Sequence, residues 1–391
     1  MKERTMMESH RPLGGKIVTK PFIVLTLLAL TGVVFMIQRY RYGLGAVTHL
    51  SDGYPWGIWI TYDVLVGTAL GCGGYATAIL VYIFNRWEYH PLIRSAVLTS
   101  AFGYTLAAAA IFLDIGRYWN AYHLFFPWYV NFNSVLVEVA LCIAAYVVVL
   151  WLEVAPAVME GHPSSNSAQS VKRRVERWLP MIVAFGILLP TMHQSSLGAM
   201  MIIAGYKVSP LWQSGLLPLF FLLSAIAMGY AVTLFESLLS SLFFGRPFET
   251  HLIKKMGGVM AWVIGVYLIL RFADLAARGQ LNLIAKGDLN SAMFILENFC
   301  YLAAFLLLAS KAWRENPRTL FIAAALMLLA GALYRFDTYL VGFNPGPGWH
   351  YFPALPEILI TVGIVAIELM AYLYFVKRYP VLPAVGQAKH A

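Results

Sequence analysis

The chain has 391 residues, 60% of them hydrophobic and 12% charged, with a mean hydropathy of +0.69. This composition excludes a water-soluble globular domain and describes a polytopic membrane protein. The net charge of +9 does not point to nucleic acid, because the Lys and Arg residues fall in short segments between apolar runs, where they carry topological information.

About 20 apolar residues cross a bilayer core of about 30 Å as a helix. On that scale the sequence predicts ten spans, at about 20–38, 58–84, 93–113, 134–156, 179–203, 214–243, 257–276, 291–312, 319–340 and 357–377. The first run follows Lys16 and Lys20 but is too long for a signal-peptide core and lacks a small-residue cleavage site, so it reads as an anchor. The fold class is therefore an all-α polytopic membrane protein with about ten transmembrane helices. A single membrane domain covers 1–391, with a cytoplasmic segment over about 1–19 and a cytoplasmic tail over about 378–391. Of the 28 Lys and Arg residues, 20 fall in the termini and even-numbered loops and six in the odd-numbered loops, which puts both termini in the cytoplasm. Arg271 and Arg335 lie inside spans.

A loose internal correspondence favours two four-helix bundles plus two flanking helices. Charged residues end the third and seventh spans (Asp114; Arg271 with Asp274), glutamates open the fourth and eighth (Glu138; Glu297), and the fifth and ninth carry His193 and Arg335.

The fifth span holds the sharpest signal, the polar, proline-broken stretch from Leu188 to Gly198 with Pro190, His193, Gln194, Ser195 and Ser196. A proline inside a helix frees a carbonyl, and polar side chains at this depth need partners within the protein. Helix-packing contacts account for the serines and for Gly198 as readily as a site does. Other ionisable residues crowd the outer ends of spans: Asp63, Asp114, Glu138, Arg271, Asp274, Glu297, Arg335, Asp337 and Glu357. Solvation at a span end is the simpler reading for Asp274, Asp337 and Glu357. Glu153, Glu236 and Glu368 lie nearer the inner side or mid-depth, where an ionisable group costs about 2.5–3.5 kcal/mol on insertion scales, and they read as stations of a proton route.

The outer loops are rich in Pro, Gly and aromatics, as in 51–59, 117–129 and 344–353. An interfacial aromatic belt explains individual rings, while the Pro and Gly density favours fixed loops suited to an extramembrane partner. Of nine histidines only His193 falls within a predicted span, and Cys72, Cys142 and Cys300 are isolated, so the residues lead to an expectation of no haem and no metal.

Several stretches resemble the membrane subunits of periplasmic, hydrogenase-two-type nickel-iron hydrogenases, within the wider NrfD/PsrC family of quinone-interacting subunits. They include 11–16, Tyr54-Pro55-Trp56-Gly57-Ile58-Trp59, Phe84-Asn85-Arg86, Asp114-Ile115-Gly116-Arg117-Tyr118-Trp119-Asn120, Asn133 to Glu138, Leu189 to Ser196, 204–214 and Phe343-Asn344-Pro345-Gly346, and they run along essentially the whole chain. The resemblance implies a bacterial inner-membrane subunit without its own redox centre. Its implied partners are a periplasmic ferredoxin-like iron-sulfur subunit and the large and small hydrogenase subunits, and its implied task is to pass electrons to menaquinone or ubiquinone near the outer face. It places the family's Asp-x-Gly-Arg motif on Asp114 and Arg117, its fourth-span acid on Glu138 and its histidine on His193.

These residue types suit the reaction, since quinone reduction takes two electrons and two protons and builds negative charge on a carbonyl oxygen. His193 is the expected hydrogen-bond donor, reloaded by Glu138 or Asp114, and Arg117 is expected to hold an acid ionised. Trp56, Trp59, Tyr118, Asp63 and Gln194 are the expected pocket lining. Two other readings fit the same sequence: a secondary transporter, with its buried acids and broken helices, and a purely structural membrane anchor.

Overall fold

The computed structural model describes residues 10–161, 166–244 and 250–382. Ten helices among these are long and apolar enough to cross a membrane: α1 Lys20–Tyr42, α2 Trp59–Ile83, α3 Trp87–Asp114, α4 Val135–Glu160, α5 Asn166–Ala204, α6 Leu217–Phe244, α7 Thr250–Ala277, α8 Leu289–Ala309, α9 Pro317–Val341 and α10 Leu355–Arg378. Every expected span is present. The largest boundary difference is in α5, which starts at Asn166 rather than near 179 because the basic stretch around Lys172 to Arg174 continues the helix. Of the residues used for orientation and the histidine census, Lys2, Arg4, His162, Arg246, Lys389 and His390 lie outside the described residues.

The helices pack as two groups, α2 to α5 and α6 to α9, joined where α6 lies against α2 and α5 and α9 reaches α2. Helix α1 pairs with α10, which in turn packs on α3, so these two flank the bundles. The α1–α10 crossing depends on small residues: a β-carbon on Gly32 would stand 2.8 Å from the Gly363 Cα. Close approach of this kind replaces the hydrophobic drive that is missing between helices in lipid.

Helix α2 is the most enclosed span and the least regular. It opens with widened π-helical turns over Trp59–Val66, breaks at Gly71 and Cys72, and widens again over Ile79–Ile83. The break is held from outside the helix: Ser100 accepts a hydrogen bond from the Gly74 amide at 2.9 Å, and Gly229 of α6 lies so close to the Cys72 carbonyl that a side chain there would collide with it. Irregular backbone at membrane depth is tolerated only where protein surrounds it, as here.

At the end expected to face outward, the segments around Tyr54, Val208 and Phe343 are tied to one another. Val208 pairs with Phe343, the Ser209 amide donates to Gly342 O at 2.7 Å, the Asn344 amide to Lys207 O at 2.7 Å, and the Tyr54 hydroxyl to Phe343 O at 3.1 Å. At the opposite end the start of the chain straps onto its finish. The Arg11 amide donates to Leu382 O, Leu13 to Val376 O and Gly14 to Lys377 O, and the positive φ of Gly14 and Gly15 turns the strap toward α1.

His10 sits under this strap. Burial and the adjacent Arg94 guanidinium push its imidazole down to about 4, against a hydrogen bond to the Pro91 backbone and the Glu160 carboxylate, which raise it. Arg94 and Lys172 both bond Glu160, at 2.7 and 3.0 Å. Because the folded protein holds His10 neutral while the unfolded chain protonates it near 6.5, this contribution to stability is complete above about pH 6.5 and declines down to about pH 4. Thermal unfolding of wild type and His10→Gln, compared at pH 8 and pH 5, should show the wild type losing more of its midpoint than the variant. Equal losses would remove His10 as the cause.

Candidate functional site

The polar stretch of α5 faces the enclosed helix α2. His193 and Gln194 are both fully buried and share one partner, the Thr68 hydroxyl, at 3.2 Å from His193 Nε2 and 3.1 Å from Gln194 Nε2. The His193 ring meets Tyr104 of α3 edge-on, Tyr104 meets Tyr146 of α4 in the same way, and the Tyr104 hydroxyl lies 3.8 Å from Cys72 Sγ. One turn along α5, Ser196 donates to Glu138 Oε1 at 2.8 Å, and Thr191 contacts the Tyr75 hydroxyl at 2.7 Å. Glu138 is half-buried in the first turn of α4, nearer the lipid-facing side than His193.

Arg335 locks this arrangement. It reaches from α9 into the first bundle, donating Nη2–H to Gln194 Oε1 at 3.2 Å and Nε–H to the Leu65 carbonyl in the widened turns of α2 at 2.9 Å. Its Nη1 serves Gly331 O and Ser224 Oγ, and the guanidinium lies over the Phe221 ring. A buried cation bonded to carbonyls, a hydroxyl and an amide ties together α2, α5, α6 and α9.

The other expected residues divide. Asp63 accepts from Thr361 at 2.9 Å and lies within electrostatic reach of Glu368, so it belongs to the contact between α2 and α10. Asp114 interacts with Arg39 and Glu357. Arg117 does not fill the role expected of it: it is exposed and forms no ion pair among the described residues, and the buried Arg39 occupies the place beside Asp114, donating to the Leu113 and Ile115 carbonyls. Trp56 and Trp59 hold the start of α2 in place. Their indole N–H groups donate to Tyr339 O and Glu357 O, which fastens the start of α2 to the ends of α9 and α10. Tyr118 packs edge-on against Tyr40 under Arg39.

Solvation at the span ends fails for two acids. Asp337 and Glu357 are buried; Glu357 takes the Tyr351 hydroxyl and the His49 and Ala354 amides, because the loop before α10 folds over it. Asp274 is paired with Arg278 and Ser214.

The inner glutamates separate as well. Glu236 on α6 accepts from Thr99 of α3 at 2.9 Å and from Tyr372 of α10. Glu368, one turn from Tyr372 on α10, faces Gly103 of α3. Glu153 lies between α4 and α5 against Gly186. No hydrogen bond among the described residues leads from these three to Glu138 or His193, so the expected convergence on that pair is not what the side chains form.

Open cavities among the described residues include a bowl of about 820 Å³ with Tyr206, Lys207, Phe343 and Trp349, and a crevice of about 370 Å³ between the end of α2 and the middle of α5. Neither includes His193 or Glu138. Sequence reasoning missed Thr68 and Tyr104, which look like ordinary small and aromatic residues of a packed helix. The charge of Arg335 inside an apolar span was the signal for a functional or bracing role.

Ten spans around a charged and polar interior held by Arg335 define a polytopic α-helical membrane protein. The chain belongs to the family described as polysulphide reductase, NrfD, whose model matches residues 46–343. It is 43% identical over 388 residues, 98% of either chain, to the "Probable Ni/Fe-hydrogenase 2 b-type cytochrome subunit" of Escherichia coli (strain K12). It is 29% identical over 373 residues, 87% of this chain and 86% of the relative, to the "Menaquinone reductase, integral membrane subunit" of Nitratidesulfovibrio vulgaris. It is 24% identical over 279 residues, 65% of this chain and 63% of the relative, to a selenate reductase subunit of Mesobacillus selenatarsenatis.

The first of these names corrects the expectation of a haem-free chain, because a b-type cytochrome is a haem protein. The side chain suited to an axial ligand is His193, whose Nδ1 is buried without a partner. Among the described residues no second histidine faces it within the bundle, so the residues present do not form a two-histidine site.

Arg335→Leu should leave Gln194 Oε1 and the Leu65 carbonyl without the guanidinium donor, at about 1–3 kcal/mol for each buried group left unsatisfied. The purified complex should unfold at a clearly lower temperature, with Arg335→Lys recovering only part of the loss because a point charge cannot serve four acceptors at once. A wild-type midpoint for Arg335→Leu would show that the network carries little stability.

Proposed function

We propose that this chain is the quinone-reacting membrane subunit of a respiratory hydrogen-uptake complex, taking electrons from an iron-sulfur subunit docked on its outer face. The observation that carries the reading is the α4–α5 pair: a half-buried Glu138 bonded to Ser196, with His193 one turn deeper beside Thr68 and Tyr104. The names of the hydrogenase and menaquinone reductase relatives support the same class of role.

Quinone enters from the bilayer between the outer ends of α4 and α5, with its ring carbonyl toward Ser196 and His193. Two electrons arrive from the partner, and the oxygen that gains negative charge is stabilised by a donor at its edge. His193 supplies that hydrogen bond and Glu138, open to the outer side of α4, supplies protons, so that one quinone, two electrons and two protons give one quinol. Hydrogenase large and small subunits complete the assembly, and the fixed outer loops with exposed Trp119, Trp128 and Phe125 present the docking face. Both termini lie in the cytoplasm of a bacterial inner-membrane protein in this reading.

Proton supply from the inner side follows α10. Glu236 of α6, Tyr372, Glu368 and the Thr361–Asp63 pair lie along one stripe of α10 and the faces of α2, α3 and α6 that meet it, ending at Glu357 and Asp114. Glu153 stands apart from this stripe.

His193→Ala and Glu138→Gln should each reduce hydrogen-dependent quinone reduction by a factor of about 100 or more, the scale of a lost general acid. Hydrogen oxidation with an artificial soluble acceptor should stay at the wild-type rate. Quinone reduction that survives both substitutions places the pocket elsewhere and leaves the structural-anchor reading.

A separate measurement addresses the stripe. In proteoliposomes with an imposed potential, where one charge across 100 mV corresponds to about 2.3 kcal/mol, quinol-driven hydrogen production by Glu236→Gln should lose its dependence on the potential. An unchanged dependence removes the inner route.

A further inference from the structure

The second bundle contains a group of polar side chains that the proposed quinone chemistry does not use. Arg271 of α7 is buried, with its guanidinium flanked by the rings of Phe220, Phe294 and Tyr334 at 5.3–5.4 Å, and none of its three nitrogens has a hydrogen-bond partner among the described residues. Glu297 of α8 and Asp337 of α9 are fully buried as well. Glu297 uses one oxygen to accept from the Trp212 indole at 2.8 Å, while its other oxygen and both oxygens of Asp337 have no donor among the described residues. The hydroxyls of Tyr267, Tyr301 and Tyr334, which enclose the same space, are also unpartnered there.

These groups form one cluster. Arg271 is within electrostatic reach of Glu297 and Asp337, and the two carboxyl groups face each other. Outward along α7, Asp274 is already engaged by Arg278 and Ser214, and Arg335, two residues before Asp337 and so on the opposite side of α9, is bonded into the first bundle. The cluster therefore has to balance its own charge. One cation and two carboxylates leave an excess negative charge inside an apolar bundle, whereas one cation, one carboxylate and one carboxylic acid leave none. Two carboxyl groups in contact form a hydrogen bond only when one of them holds a proton. Buried polar groups without protein partners are ordinarily bridged by internal water, about three hydrogen bonds to each molecule.

We propose that the second bundle encloses a hydrated proton-binding site, in which Arg271, Glu297 and Asp337 are bridged by ordered water and one proton is shared between the two carboxyl groups. The ligands are water and a proton, and the site is independent of the quinone pocket. Trp212 and Gly342 separate it from the bowl on the outer face, since the Gly342 amide bonds the Asp337 carbonyl and a side chain on Gly342 would meet the Trp212 ring at 2.7 Å.

The test uses the full chain in its native membrane complex. A cryo-EM map resolved well enough to show ordered water should place water-sized density within hydrogen-bond distance of the Arg271 guanidinium and of Glu297 or Asp337. Infrared spectra at neutral pH should contain the carbonyl stretch of a protonated carboxylic acid that shifts in D2O. That band should vanish in both Asp337→Asn and Glu297→Gln, because the carboxyl that remains in either variant ionises against Arg271. A chamber without water, a metal cation held by both carboxylates, or a band unaltered by both substitutions would overturn the proposal. If either variant fails to assemble, the wild-type map decides alone.

Discussion

A charged or hydrogen-bonding group surrounded by lipid has no water to fall back on, and this requirement organises the molecule around Arg335. Its guanidinium satisfies the Leu65 carbonyl in the widened turns of α2, the Gln194 amide of α5, the Ser224 hydroxyl of α6 and a carbonyl of its own helix. Without such a donor the irregular backbone of α2 would carry unsatisfied groups at membrane depth, each costing several kcal/mol. With it, α2 is free to depart from α-helical geometry, and that departure directs Thr68 toward His193 and Gln194.

The same requirement accounts for the residues that set the outer rim. Arg39 caps the end of α3 through two carbonyls, Glu357 gathers a tyrosine hydroxyl and two amides, and Trp56 and Trp59 use their indole N–H groups on carbonyls of α9 and α10. These contacts are bracing rather than catalysis. They explain why residues in motifs that the family resemblance marks as functional divide into two kinds, those that fix the rim and those that line the interior.

The two bundles use polar groups differently. In the first, His193, Gln194 and Thr68 find protein partners in the interior, while Glu138 lies half-buried on α4 and is bonded to Ser196 of α5. In the second, Arg271 and the carboxyl groups of Glu297 and Asp337 are sealed among aromatic rings. Membership in the NrfD family, together with similarity to hydrogenase and menaquinone reductase membrane subunits, fits a quinone-linked respiratory membrane subunit.

Hydropathy alone determined the ten spans, because each helix must be apolar over about 20 residues whatever it packs against. Composition likewise marked His193, Glu138 and Arg335 as exceptional, since an ionisable residue inside an apolar run is visible without any structure. Partnership was decided only by tertiary structure. Arg39 rather than Arg117 stands beside Asp114, Glu357 is buried under a folded loop, and Glu236 meets Thr99 and Tyr372 while Glu153 meets Gly186, because helix rotation and crossing set which side chains meet. Thr68 and Tyr104 carried no signal in the chain at all. Their importance arises from a widened turn in α2 and from close glycine contacts, and both are products of packing between segments distant in sequence.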